Sequence, residues 1–107
     1  MFKSRRIAGL ALLVAVQVSQ VYAAPDLEYG EYLASECTTC HLLSGKQSNI
    51  PAIIDRDPEL FIAMLEAYKS RDLENEVMQN IAQRLGASEM ESLAAYFATI
   101  KPKGKIE

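Results

Sequence analysis

The sequence has no tryptophan, a single histidine, His41, and only two cysteines, Cys37 and Cys40. A lone histidine excludes ligation of a metal by two imidazoles of this chain. With Cys37 and Cys40 it also falls short of the four Cys or His ligands of a closed structural zinc site. Two neighbouring cysteines cannot cross-link distant parts of a chain; a disulfide between them would close a very small loop and add little global stability. Nowhere do three Lys or Arg residues follow one another, so the clustered cations that neutralise nucleic-acid phosphates are missing. The longest strongly apolar stretch, residues 7–18, has 12 residues, short of the roughly 17 to 25 that cross a bilayer.

What is present is unevenly spread. Lys3, Arg5 and Arg6 precede the apolar stretch, and Ser19, Gln20, Val21, Tyr22 and Ala23 lead out of it to Ala24 and Pro25. Basic, apolar and small-residue regions in that order are the layout of a secretory signal peptide. Val21 and Ala23 suit the positions three and one before the cut, so cleavage is expected after Ala23. That gives a leader over 1–23 and a domain over 24–107, exported across a bacterial inner membrane to the periplasm with no membrane span kept; the competing reading is a retained single-span anchor, for which the apolar stretch is short. Losing Lys3, Arg5 and Arg6 takes the 11 basic residues to 8 against 14 acidic ones, a net charge of −6. Such a surface is either simply solvated or suited to a basic partner, by steering that salt weakens. The domain is near the size at which one apolar core is only marginally sufficient, so a bound group is expected to help hold it together.

Cys37-Thr38-Thr39-Cys40-His41 is the C-x-x-C-H arrangement for attaching a c-type haem. Two thiols at this spacing can add to the two vinyl groups of one porphyrin edge, and the next residue projects an imidazole toward the iron. The motif occurs in a chain with an export signal and contains its only histidine. Three other uses of the cysteines are weighed. A thioredoxin-like redox pair sits at a helix start after a strand, and no convincing strand precedes Cys37. A zinc site lacks ligands, and a structural disulfide would do little.

The surrounding pattern is helical, with no strand required. Leu27 to Cys37 follows Pro25-Asp26 and places Leu27, Gly30, Leu33 and Ala34 at helical spacing. Residues 42–56, with Gly45 and Pro51, read as loop. Asp57-Pro58 is an N-cap with Pro at the first helical position. It opens a helix to about Ser70 with Leu60, Phe61, Met64, Leu65 and Tyr68 on one face. A third helix is expected from about Glu74 to Leu85, stopping at Gly86, with Met78, Ile81, Ala82 and Leu85 on one side. Ser88 and Glu91 stand in capping-box relation, so a last helix should begin there and run to about Thr99, burying Leu93, Tyr96 and Phe97. The tail from Lys101 is expected to fray.

Iron held by His41 would need a second axial ligand, and methionine is the natural one: its soft, neutral thioether favours ferrous iron and raises the reduction potential. Core packing accounts for Met64 and Met90 on their amphipathic faces. Met78 follows the polar stretch Ser70-Arg-Asp-Leu-Glu-Asn-Glu76, which can form a turn, although Ile81, Ala82 and Leu85 continue its face and make core packing an equal reading.

From Gly30 to Phe97 the chain resembles class I monohaem cytochromes c. It is most similar to the branch that includes the cytochrome subunit of flavocytochrome c sulfide dehydrogenase and related small periplasmic cytochromes. The matching blocks are Gly30-Glu-Tyr-Leu-Ala-Ser-Glu-Cys-Thr-Thr-Cys-His41, Ile50-Pro-Ala-Ile53, Asn75-Glu-Val-Met-Gln-Asn-Ile-Ala82 and Leu93-Ala-Ala-Tyr-Phe97. Leu42 stands where the family usually has Gly, and the commonly seen glycine near Ser70 is missing. The resemblance implies an all-α class I cytochrome c fold, about four short helices around one covalently bound haem c. It implies that Met78 is the distal ligand, that the Pro51 carbonyl accepts a hydrogen bond from the His41 nitrogen not bound to iron, and that Gly30 and Leu33 pack on Leu93 and Tyr96 where the first and last helices cross. The implied function is single-electron transfer with no substrate chemistry of its own. Its partner is expected to be a redox protein, a flavoprotein that oxidises reduced sulfur, docking around the Cys37 to Cys40 edge. A free carrier in another respiratory or photosynthetic chain, and a haem enzyme or sensor with an open iron site, are the competing readings.

Overall fold

A computed structural model describes residues 3–4, 8–19, 24–46 and 49–103. Among these residues four helices follow one another: α1 (Leu27–Ala34), α2 (Pro58–Lys69), α3 (Glu76–Gln83) and α4 (Ala87–Ala98). Among the described residues there is no strand, so the chain is all-α, as expected. Residues 8–19 carry no secondary structure and are exposed. The expected cleavage point after Ala23 lies outside the described residues. No described helix is long and apolar enough to cross a membrane.

Helix starts are set by short polar side chains that satisfy first-turn amides. The Asp26 carboxylate accepts from the Tyr29 N–H at 3.0 Å, the Asp57 carboxylate from the Leu60 N–H at 3.0 Å, and Asn75 Oδ1 from the Met78 N–H at 3.0 Å. The expected bounds of α2 hold. α1 ends at Ala34 rather than Cys37, because the chain tightens into turns as it enters the cysteine motif. α3 begins at Glu76 rather than Glu74, because Asn75 in extended conformation supplies the cap. The capping box at Ser88 does not form. Gly86 is the N-cap of α4 and makes no side-chain cap bond, and its carbonyl accepts from the Met90 N–H at 3.0 Å, which already places Ser88 inside the helix.

α4 is the centre of the fold, packed against both α1 and α2, while α3 packs on α2. Met90, Leu93 and Phe97 of α4 are its most fully buried large side chains. The Phe97 ring stacks on Phe61 of α2 with centroids 5.6 Å apart. At the α1–α4 crossing, a side-chain carbon on Gly30 would lie 2.2 Å from the Ser92 carbonyl oxygen and 2.9 Å from Tyr96 Cβ, so only glycine permits this approach. Leu33 packs against the same core. The loop between α1 and α2 is fastened to α4: the Asp55 N–H donates to the Phe97 carbonyl at 3.0 Å, and the Asp55 carboxylate pairs with Lys101. That pairing corrects the expectation of fraying at Lys101, whose neighbour Pro102 also lies against Gly45; residues 104–107 lie outside the described residues.

Candidate functional site

Where α1 ends, the backbone makes a helix-like turn. The Cys37 N–H donates to the Ala34 carbonyl at 2.9 Å and the His41 N–H to the Cys37 carbonyl at 2.8 Å. In such a turn, positions separated by three and four share one side, which is why Cys37, Cys40 and His41 all border the same space. That space is a cavity of about 470 Å³, within the usual range for a cofactor pocket.

Cys37 is half-buried there and Cys40 exposed. Burial pushes the Cys37 thiol up, and the neighbouring Glu36 carboxylate pushes it further the same way. Catalytic redox cysteines are instead depressed by cationic or helix-N-terminal surroundings, so this environment opposes a thioredoxin-like role. Among the described residues no three His, Cys, Asp or Glu side chains gather closely enough to hold a metal ion by themselves.

His41 is buried, with 9% of its surface exposed. Its Nδ1 lies 2.6 Å from the Pro51 carbonyl oxygen. A carbonyl only accepts, so Nδ1 carries the proton and donates, leaving Nε2 as the nitrogen with a free lone pair. Such a bond fixes the orientation of the ring.

The structure brings Cys37, Cys40, His41, Pro51 and Met78 to the walls of this one cavity. The first three come from the turn after α1, Pro51 from the following loop, and Met78 from the first turn of α3. Met78 is half-buried. Met90 is 2% exposed in the core, as packing required. Met64 is different: it is 45% exposed and lines the cavity, so core packing does not account for it. The apolar face of α2 is wide enough to divide. Phe61 and Leu65 enter the core, while Leu60 and Met64 are turned outward along the cavity.

Arg56 was not among the residues the sequence singled out, yet among the described residues it is the one Lys or Arg side chain lining the cavity. Its Nε donates to the Ala52 carbonyl at 3.0 Å. No periodic signal marks it, because it sits in a loop. The donor set fits a haem: two thiols on one turn, an imidazole with its outer nitrogen committed to a carbonyl, thioether sulfur, largely aliphatic and aromatic walls, and a cation for a carboxylate.

No protein-family model matches the chain. It is 30% identical over 111 residues to cytochrome c-552 of Acidithiobacillus ferridurans, an alignment that takes in 95% of this chain and 48% of that protein. The chain thus spans about half the length of the curated relative it matches.

Proposed function

We propose that this chain is a c-type cytochrome domain that carries single electrons, with one haem c joined covalently to Cys37 and Cys40 and ligated by His41 and Met78. The observation that carries this reading is the convergence of the C-x-x-C-H turn on an apolar cavity, with the only imidazole of the chain held by the Pro51 carbonyl. When bound, the haem supplies the one-electron Fe(III)/Fe(II) couple. The chain supplies everything that tunes it. Pro51 orients His41. The thioether of Met78 favours the reduced state. Ile53, Phe61, Leu65 and Leu93 provide a water-poor wall, and Arg56 offers its charge to a propionate. The name and the 30% identity of the relative support the same reading.

Residues 1–23 serve in this proposal as a secretory leader and 24–107 as the periplasmic domain. The exposed side chains of Leu10, Leu12, Leu13 and Val14 suit a segment that takes no part in the core. The more specific role proposed is that of electron acceptor, subunit or partner, of a flavoprotein that oxidises sulfide. It rests on the block-by-block resemblance and on the acidic balance of the domain. Docking is assigned to the side of Cys40, where the motif is exposed.

The test is expression in cells competent for c-type haem maturation. The expected product is red, retains its haem through denaturation, and has an intact mass equal to the domain plus one haem. A colourless product would refute the proposal. Co-purification of a flavin-containing polypeptide from native periplasm tests the finer role; a haem-loaded protein that never retains one would remove it.

A further inference from the structure

The turn between α2 and α3 holds a residue in a conformation that suits glycine. Arg71, directly after the C-cap of α2, has φ 67°, a left-handed geometry that penalises a side chain. Helices commonly end with glycine at this position. Relief of backbone strain alone would therefore favour glycine here.

The Arg71 side chain is used. Its Nη1 donates to Gln79 Oε1 at 3.2 Å, and Gln79 Nε2 donates to the Leu73 carbonyl at 2.9 Å. Gln79 is 9% exposed and has both ends of its amide engaged. It follows Met78 directly in α3. On the other side, Asn75 Oδ1 holds the Met78 N–H. Met78 therefore lies between two tethers to the turn that precedes it.

We infer that Arg71 and Gln79 are positioning residues: together they clamp the α2–α3 turn to α3 and so hold the Met78 thioether on the iron. This inference rests on the reading of Met78 as the distal ligand. A ligand on a loosened turn leaves the iron more often, which raises the population open to an external ligand. Relief of strain and loss of the clamp act in opposite directions at position 71, which separates this role from ordinary packing.

The test uses ferric holoprotein and imidazole as the probe. The rate of imidazole entry at saturating concentration reports release of Met78. In Arg71→Gly the melting temperature should be equal to or above that of the wild type, while the limiting rate rises about tenfold. A tenfold change is about 1.4 kcal/mol, the size of a hydrogen bond to a charged group. Gln79→Leu should show the same increase, and Arg71→Lys, which keeps charge but not the planar fork, should lie between. Wild-type rates in both Arg71→Gly and Gln79→Leu would overturn the clamp. So would a rate increase in Arg71→Gly accompanied by a lower melting temperature, which would mark general destabilisation. If Gln79→Leu fails to fold, Arg71→Gly decides. The Met78→Ala protein separates the two levels: survival of the sulfur-to-iron charge-transfer absorption in it would overturn the ligand assignment itself.

Discussion

Replacing Gly30 by alanine tests the packing that places the cysteine motif. The added carbon would sit 2.2 Å from the Ser92 carbonyl oxygen and 2.8 Å from its carbonyl carbon, whereas a close C···O contact is about 3.3 Å or longer. The shortfall is on the order of 1 Å, and the obstructing atoms are backbone of α4, so no rotamer change removes it. α1 must move away from α4. A gap of that size forfeits on the order of a quarter to a half of the dispersion energy of each contact across it, and overpacking of this kind costs about 3 kcal/mol at its upper range. Alanine returns about 1 kcal/mol through its better helix propensity. The net loss expected is about 2 kcal/mol. For a domain of this size that lowers the melting temperature by about 8–16 °C. Thermal unfolding of the holoprotein followed by far-ultraviolet circular dichroism measures it. A variant that melts with the wild type would show that the α1–α4 contact is looser than this crossing requires, and the argument would fail.

Met78→Ala should abolish the sulfur-to-iron charge-transfer absorption and lower the reduction potential, read by spectroscopy and redox titration; retention of both would exclude Met78 as ligand. Leu93→Ala, at a site 1% exposed in the core, should cost about 2–5 kcal/mol in denaturant unfolding. Asp57→Ala removes the carboxylate that holds the Leu60 N–H and should cost about 1 kcal/mol. Gly86→Asp supplies the side-chain cap that α4 lacks and should raise stability by a few tenths of a kcal/mol; a loss would mean that the start of α4 is wrongly assigned.

Much of the scaffold was legible because it is local. Asp57-Pro58 announces α2 through a cap and a missing amide donor, and those signals act within one turn. The start of α4 was misplaced for the same reason seen from the other side. Ser88 and Glu91 have the spacing of a capping box, but the extended backbone at Gly86 begins the helix earlier and leaves Ser88 no free end to cap. In α3, Ala82 is fully buried while Met78 and Ile81, with Leu85 just past the helix end, line the cavity, a division that periodicity alone cannot draw, since both surfaces are apolar.

The spacing of Cys37, Cys40 and His41 by itself pointed to the proposed haem chemistry, because three donors at intervals of three and four share one side once the backbone turns as a helix does. The single histidine likewise excludes an axial pair of two imidazoles from this chain. Only the tertiary structure decided which methionines reach the cavity, that Met64 is one of them and Met90 is not, and that Arg56 and the Arg71–Gln79 pair stand where they do. Those placements depend on how helices cross and how loops return, and such long-range geometry leaves no periodic trace along the chain.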